Sequence, residues 1–312
     1  MTILVTAVGS YSGRAVINSL KKNGGHVLVG CDIHHGSWLD TASKLNHFYQ
    51  VKPCHETGYL HQIRDIIESH QIDLVIPLID PEVDIFTENR HFLESVNCKL
   101  AISHRESILT CRNKFKLYDF FKNYSQVNVI PTYTCDNLPD KILPEKLIGK
   151  PQSGRSSKGF IQIHRDALQF MAKHLNNYVF QPFIDGKVFT IDCIRDEKEN
   201  FMGIVRQELI RTSHGAGITV EIIQNDYLEM ISKLILSKLN YSGFANIEFL
   251  YDGEKYFLMD INPRFSAGVG FSILSGYDMV TSAVNCFYGK SLNETKHIEY
   301  GIYSKVMQEI KL

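Results

Sequence analysis

The 312-residue chain has neither a long hydrophobic run nor a strong net charge, and each absence excludes a class of protein. No apolar stretch approaches the roughly 20 residues that a helix needs to cross a bilayer. The formal net charge is -1, so we expect neither nucleic acid nor a membrane as a partner. The apolar segment 1–9 has no basic flank and leads into a Ser-Gly turn, which predicts a buried strand rather than a signal peptide.

Paired cysteines are also absent. The seven cysteines are an odd number and form no Cys-x-x-Cys pair, so the sequence predicts neither a disulfide framework nor a zinc site. Free, mostly structural thiols are typical of a reducing compartment, and we expect a cytoplasmic protein. The chain has no Gly-x-Ser-x-Gly motif, no Gly-Lys-Ser/Thr P-loop and no internal repeat, so nucleophilic hydrolases and P-loop enzymes have no support.

The composition is that of a soluble globular protein with two or three domains, since 44% of the residues are hydrophobic and 21% are charged. In the first hundred residues, strand-like segments alternate with helix-like segments, which predicts a doubly wound parallel sheet. The strands are expected at residues 3–8, 27–31, 73–78 and 99–102, and the helices at 15–22 and 59–69.

A basic helix predicted over residues 107–123 marks a change of pattern, with a domain boundary near residues 105 to 110. Hairpin-like strands dominate from there on, with helices between them, which predicts an α+β second half. The strands are expected at residues 129–132, 147–150, 160–164, 179–184, 188–194, 201–208 and 219–223, and the helices at 166–174 and 227–239.

The most informative segment is a hairpin near the end of this second half. Its strands, 248–250 and 259–261, are joined by the turn 251–254 and place Glu248, Asp260 and Asn262 near one another. Carboxylate and amide oxygens suit Mg²⁺, and a guanidinium such as that of Arg264, just beyond, can hold phosphate charge. The alternative is an exposed hairpin that carries ordinary polar residues.

Two loops have the composition of phosphate-binding segments. Lys150 ends a strand and leads into residues 152–159, a Gly/Ser loop with three basic side chains counting Lys150, which can fold over a triphosphate. A solvated linker is the alternative reading. Near the N-terminus, the strand-to-helix turn from Gly9 to Gly13 has two of the three glycines of a dinucleotide fingerprint. Asp32 ends the second strand, where it could bind ribose or simply cap the strand, and the turn could bind no nucleotide or a different ligand.

Three further positions are candidates for ligand contact. The apolar strand around Phe180 to Ile184 could hydrogen-bond an adenine edge, or it could be plain core. Arg206 and Arg211 precede a glycine-containing loop, which suits an anionic substrate or developing phosphate charge. His214 in that loop could act as a general base, or it could be an exposed loop histidine.

Taken in order, these segments resemble the ATP-grasp superfamily. The resemblance is carried by Lys150, the Gly/Ser loop, the 180–184 strand, the Asp185-Gly186 turn and Glu248 with Asp260-x-Asn262-Pro263-Arg264. The closest type is the large subunit of carbamoyl-phosphate synthase, which segments 246–249 and 259–264 resemble. It implies a Rossmann-like α/β pre-ATP-grasp domain at 1–107, an ATP-grasp N-terminal lobe at 108–184 and a C-terminal lobe with the metal site at 185–312.

The resemblance also implies a role for each site residue. Lys114 and Lys150 would bind phosphate, Arg264 would face the transferred phosphoryl group, and Mg²⁺ or Mn²⁺ would be held by Glu248, Asp260 and Asn262. The other residues expected to contact ATP are Ser153, Gly154, Ser156, Ser157, Gly159, Gln181, Phe183, Ile184 and Asp185. The chain departs from the family pattern at Val188 and Gln181, where a ribose-binding Glu and an adenine-binding Glu are common, and Asp185 could substitute for the former.

The function that the resemblance implies is an ATP- and Mg²⁺-dependent carboxylate-amine ligase. Such an enzyme forms an acyl phosphate and releases ADP and phosphate, with Arg206, Arg211 and the loop 266–270 holding the acid. The sequence contains no glutaminase-like segment, so ammonia or an amino compound is the expected acceptor, and a homodimer is expected. The alternatives are phosphotransfer to a carboxylate or carbamate without amide formation, a nucleotide-binding regulatory protein without turnover and, last, a dinucleotide oxidoreductase.

Overall fold

The computed structural model of the chain describes residues 1–139, 142–154, 158–294, 297–306 and 308–312. Within these residues the strands form three sheets of five, three and six strands. The five-stranded sheet comes from the first hundred residues, and the other two follow it along the chain. No helix in these ranges is long and apolar enough to cross a bilayer.

The first sheet is parallel throughout, as predicted, with strand order β3-β2-β1-β4-β5. Its strands are β1 (Thr2–Val5), β2 (Val27–Asp32), β3 (His47–Gln50), β4 (Leu74–Ile76) and β5 (Lys99–Leu100). The helices are α1 (Gly13–Lys22), α2 (Tyr59–His70), α3 (Asp80–Glu88) and α4 (Arg90–Glu94). The sequence interpretation included neither β3 nor α3 and α4.

Both faces of this sheet are covered, which is why β1 and β4 are apolar in nearly every position. Leu4 and Val75 belong to a core shared with α2 and α3, and their neighbours Ile3 and Ile76 belong to a core shared with α1. The second core continues into helices from the far end of the chain, so the N-terminal domain packs firmly against the C-terminal part of the protein.

The middle of the chain forms a small antiparallel sheet with strand order β7-β6-β8. It contains β6 (Lys146–Pro151), β7 (Ile161–His164) and β8 (Tyr178–Pro182), and its neighbouring helices are α5 (Arg105–Cys111), α6 (Lys114–Phe121) and α7 (Leu168–His174).

Two predictions in this region are wrong. The single helix expected over residues 107–123 is broken between α5 and α6, because the Asn113 side chain caps α6 by accepting the Lys116 N–H at 2.9 Å. The strand expected at residues 129–132 is absent from the described structure, which has isolated bridges from Val129 to Leu258 and from Tyr133 to Phe180. Pro131 has no N–H to offer a ladder.

The largest sheet is antiparallel, with strand order β13-β12-β9-β10-β11-β14. Its strands are β9 (Lys187–Arg195), β10 (Phe201–Arg211), β11 (Gly217–Ile223), β12 (Gly243–Tyr251), β13 (Tyr256–Asn262) and β14 (Gly301–Ser304). The helices of this part are α8 (Asp226–Lys238), α9 (Val269–Leu274) and α10 (Met279–Phe287). The bounds of the three predicted domains stay a prediction, since α5 and α6 connect the first sheet to the other two.

Candidate active site

The β12–β13 hairpin collects four polar side chains on one face of the large sheet. Glu248 lies opposite Asp260, and Asn246 lies opposite Asn262. Residues two apart on a strand point to the same face, so all four project together. A β-bulge follows, because Phe249 pairs with Leu258 and the intervening Met259 has no partner across the strand.

The two carboxylates of this face already hold protein cations. Lys114 Nζ lies 3.5 Å from Asp260 Oδ2, and Arg211 Nη2 lies 2.9 Å from Glu248 Oε2. Asn262 Nδ2 donates to Glu248 Oε1 at 3.2 Å, which turns the amide oxygen of Asn262 away from that carboxylate. The face therefore offers anionic and neutral oxygens beside movable positive charge.

Two lysines lie near these carboxylates, Lys150 near the end of β6 and Lys114 at the start of α6. The backbone N–H of Lys114, the first residue of α6, donates to Gln152 O at 2.9 Å, so the helix start is tied to the end of β6 and Lys150. Burial lowers the pKa of Lys150 to about 8, with Lys114 acting in the same direction and the carboxylates of Asp260 and Glu248 opposing it. Near neutral pH Lys150 therefore still carries its charge, beside the carboxylates of Asp260 and Glu248.

Arg206 lies in the sheet floor as a buried, fully engaged cation. Its Nη1 donates to Asp192 Oδ2 at 2.7 Å and its Nε to Glu208 Oε1 at 3.0 Å. Burial alone would lower the pKa of Arg206, but the two carboxylates have the larger effect, so the pKa is raised. A Cβ on Gly268 would lie 2.7 Å from Arg206 Nη2, so this position requires glycine for a close approach.

Arg264 is fixed by a residue of the N-terminal domain. Its Nε and Nη2 donate to the two carboxylate oxygens of Asp80, each at 2.9 Å, and its Nη1 donates to Phe265 O at 3.2 Å. Asp80 is the first residue of α3 and is 3% exposed. The guanidinium next to Asn262 therefore depends on the first sheet for its orientation.

These groups line one cavity of about 480 Å³ between the three sheets. Nine of the predicted site residues line it: Lys114, Lys150, Gly154, Arg206, Arg211, Glu248, Asp260, Asn262 and Arg264. His214 lines it as well, and the N-terminal turn contributes residues 10–12. A cavity that brings together oxygen ligands, lysines and arginines is suited to a nucleotide triphosphate with its cation.

Comparison with known proteins identifies the fold and the family. A model of the ATP-grasp domain matches residues 111–268, which is half of the chain, and a model of the PylC-like N-terminal domain matches residues 3–101. The chain belongs to the ATP-grasp family. The predicted resemblance and the predicted α/β domain followed by an ATP-grasp fold are thereby confirmed.

Among curated proteins, the chain is similar to carbamoyl phosphate synthase large chains. It is 26% identical over 287 residues to that of Clostridium acetobutylicum, a match covering 85% of this chain and 25% of the relative. It is 21% identical over 255 residues to the arginine-specific large chain of Halalkalibacterium halodurans, covering 75% of this chain and 24% of the relative. The chain thus spans about a quarter of the length of these relatives.

Solved ATP-grasp structures share the fold at low identity. N5-carboxyaminoimidazole synthetase from Staphylococcus aureus, complexed with ADP, has a TM-score of 0.76 and 15% identity, covering 98% of this chain and 82% of that chain. The biotin carboxylase domain of 2-oxoglutarate carboxylase from Hydrogenobacter thermophilus, a dimer with MgADP and bicarbonate, has a TM-score of 0.77 and 15% identity, covering 96% of this chain and 73% of that chain. L-amino acid ligase from Bacillus licheniformis has a TM-score of 0.70 and 14% identity, covering 92% of this chain and 74% of that chain.

Six of the predicted ATP-contacting residues lie outside the cavity wall. In the described ranges, the residues that do not line the cavity are Ser153, Gly159, Gln181, Phe183, Ile184 and Asp185. Ser156 and Ser157 lie outside the described residues. Gln181 is buried and its Nε2 donates to Thr132 Oγ1 at 2.7 Å, while its Oε1 has no partner in the described structure. Phe183 and Asp185 are exposed.

The N-terminal turn contributes to this cavity, although it departs from the dinucleotide fingerprint. Asp32 accepts the Gly9 N–H at 2.8 Å and the His34 N–H at 3.0 Å, so its carboxylate closes the turn. A Cβ on Gly13 would lie 2.0 Å from Val8 O, which explains the glycine where α1 begins. The turn therefore faces the ATP-grasp cavity with residues 10–12 as part of its wall.

Three residues that line the cavity were not identified from the sequence: Asn246, Thr190 and Asp80. Asn246 has a local signal, since it lies two positions before Glu248 and must share its face. Thr190 has none, because its place opposite Glu248 depends on the pairing of β9 with β12. Asp80 has none either, since its partner Arg264 is 184 positions away in the sequence.

Proposed function

We propose that the protein is an ATP- and Mg²⁺-dependent carboxylate-amine ligase that works through an acyl phosphate and releases ADP and phosphate. The observation that supports this proposal most directly is one cavity with a triphosphate-sized set of charges. Glu248, Asp260 and Asn262 line this cavity together with Lys114 and Lys150, and Lys114 Nζ lies 3.5 Å from Asp260 Oδ2.

The oxygen set of the hairpin fits a hard divalent cation. Glu248, Asp260 and the Asn262 amide are the ligand types that Mg²⁺ takes when substrate phosphates complete its coordination. In the described part of the chain, no group of three or more His, Cys, Asp or Glu residues could hold a metal ion. A cation bound here together with the substrate phosphates would neutralise their charge.

The remaining ATP contacts follow from the family resemblance and from local geometry. Lys114 and Lys150 bind the phosphates, and Gly154 and Lys158, which also line the cavity, lie beside them. Gln181 and Asp185 do not line the cavity in this structure, and their proposed contacts with adenine and ribose rest on the family resemblance. Gln181 Oε1 has no partner in the described structure, whereas the Nε2 of the same amide donates to Thr132 Oγ1.

In both phosphoryl transfer and ligation, the protein acts by placing charged side chains beside the reacting groups. A carboxylate oxygen of the acid attacks the γ-phosphorus, the bond to the β-phosphate oxygen breaks and ADP leaves, with Arg264 beside the moving phosphoryl group. The amine attacks the acyl carbon, loses a proton, and phosphate departs. Arg211, the last residue of β10, binds the acid, while Arg206 holds the floor in place through Asp192 and Glu208.

An ADP-release screen tests this proposal. Purified protein, MgATP and a panel of carboxylic acids, amino acids and amines should release ADP and phosphate for one pair, with the product identified by mass. Asp260→Asn should lose this activity while its circular dichroism spectrum is unchanged. Asp252→Asn, in the exposed turn of the same hairpin, is the matched control and should stay active. Release of AMP and pyrophosphate would contradict the acyl-phosphate scheme.

A second candidate is phosphotransfer to a carboxylate or carbamate without amide formation. It is favoured by the similarity to carbamoyl phosphate synthase large chains, which extends over 85% of this chain. ³¹P NMR of a reaction with MgATP and bicarbonate but no amine distinguishes the two. A new phosphorylated product supports this candidate, and phosphate formation that requires an amine supports the ligase.

A further inference from the structure

We propose that Asp80, in the N-terminal domain, is the positioning residue for Arg264, so that the first domain sets the geometry of phosphoryl transfer. This inference rests on the proposed function, in which Arg264 stands beside the transferred phosphoryl group. It assigns a part in the site to a residue that touches neither the nucleotide phosphates nor the hairpin carboxylates in the scheme above.

The contact between the two residues is a planar fork. Both carboxylate oxygens of Asp80 accept N–H groups of Arg264, from Nε and Nη2, each at 2.9 Å. Such a two-point contact fixes the plane of a guanidinium as well as its position. Phe265 O takes one N–H of Nη1. Among the described residues the two remaining N–H groups of Arg264 have no acceptor, and Arg264 lines the cavity.

Asp80 is itself held rigidly. It is 3% exposed and begins α3, where the helix dipole favours a negative charge. Arg112 Nη1 lies 3.5 Å from Asp80 Oδ1, and Arg112 makes its own fork with Asp84 through contacts of 2.7 and 2.9 Å. Positive and negative groups therefore alternate along a chain of four side chains from Arg264 to Asp84.

This chain also reaches the other side of the cavity. Arg112 lies at the corner between α5 and α6, two residues before Lys114, which contacts Asp260. Asp80 thus contacts two arginines. Arg112 precedes Lys114, the proposed phosphate-binding lysine, and Arg264 follows the hairpin proposed to bind the metal. A shift of α3 would move both, because a buried carboxylate cannot exchange its partners for water.

If Asp80 positions Arg264, the geometry of the two-point contact must matter as well as the negative charge of Asp80. A residue that only stabilised the fold would need no such geometry. Asp80→Glu keeps the negative charge but adds one methylene, which displaces the Arg264 guanidinium by about the length of a carbon–carbon bond. Misplacements of roughly 1 Å in such sites lower transition-state stabilisation on the order of 100-fold. Glu88→Asp also moves a carboxylate of the same helix by one methylene, at an exposed position outside both the cavity wall and this chain of side chains.

Calorimetric titration of the full chain with two probes tests this without knowledge of the acid or the amine. The probes are MgADP alone and MgADP with aluminium fluoride, a mimic of the phosphoryl group during transfer. For Asp80→Glu and Asp80→Asn, we expect the gain in affinity from aluminium fluoride to fall by about 10- to 100-fold relative to the unmodified protein. For Glu88→Asp, we expect the gain to stay within about threefold.

Each outcome bears on the proposal. An undiminished gain in both Asp80 variants overturns the positioning role and leaves the proposed function intact. Failure of the unmodified protein to bind MgADP overturns both. If Asp80→Asn does not fold, Asp80→Glu, which keeps the charge beside Arg264 and Arg112, carries the test alone. An equal loss in Glu88→Asp would show that α3 acts only as a structural support, and that result also overturns the proposal.

Discussion

The lowered pKa of Lys150 leads to a quantitative prediction about pH. Burial shifts the pKa from 10.5 to about 8, which corresponds to roughly 3 kcal/mol of preference for the neutral amine in the empty site. The unfolded chain holds this proton up to about pH 10, so between pH 8 and 10 the unfolded state binds more protons than the folded state. The Lys150 contribution to the free energy of unfolding therefore rises with pH in that window.

Nucleotide binding has the opposite dependence. Phosphate oxygens next to Lys150 favour its charged form, so above pH 8 the protein must take up a proton when it binds MgADP. If the bound pKa returns to its ordinary range, the affinity should fall by about 20- to 30-fold between pH 7.5 and 9.5, approaching tenfold per pH unit.

Calorimetry measures both quantities. Titrations with MgADP across this pH range, each repeated in two buffers of different ionisation enthalpy, give the affinity and the number of protons taken up. Lys150→Met should bind more weakly at pH 7.5 and should lose the dependence on pH. Lys146→Met, at the exposed start of the same strand, should keep it. A pH-independent affinity of the unmodified protein, or a slope that persists in Lys150→Met, would refute the reasoning.

Three further predictions concern the metal site and the buried charges. Asp260→Ala should weaken Mn²⁺ binding in the presence of ADP by at least about 100-fold, as measured by electron paramagnetic resonance, and unchanged Mn²⁺ affinity would remove the metal assignment. Gly268→Ala should lower the free energy of unfolding by about 3–5 kcal/mol in urea denaturation, because its Cβ would lie 2.7 Å from Arg206 Nη2 and break a buried ion pair. Gly270→Ala is the control and should change stability by less than about 1 kcal/mol, since the nearest atom to its Cβ lies 3.5 Å away. Burial raises the pKa of Glu82 to about 7, so the folded state binds more protons than the unfolded state between pH 4.5 and 7. The free energy of unfolding should therefore fall by up to roughly 3 kcal/mol as the pH rises across that window. Urea denaturation of Glu82→Gln should lack this decrease, and an equal decrease in the variant would assign it to other groups.

The sequence was sufficient for the architecture wherever a local pattern repeats. Alternation of apolar strands and amphipathic helices predicted the parallel sheet, and the structure confirms it. It was insufficient where one residue changes a local preference. Asn113 splits the helix expected over 107–123, and Pro131 lies in the segment where a strand was expected and is absent from the described structure. Asn commonly caps a helix and Pro commonly interrupts a strand, but tertiary packing decides whether a helix or a strand ends at such a residue.

For the candidate site, the sequence by itself determined the donor set of the hairpin, because Glu248, Asp260 and Asn262 lie a short turn apart and strand periodicity places them together. It also determined the order of elements that identifies the family. Only the tertiary structure decided that Asp80 holds Arg264 and that the N-terminal turn faces the cavity. The physical reason is distance along the chain: periodicity acts over a few residues, whereas contacts between residues 184 positions apart depend on how whole domains pack.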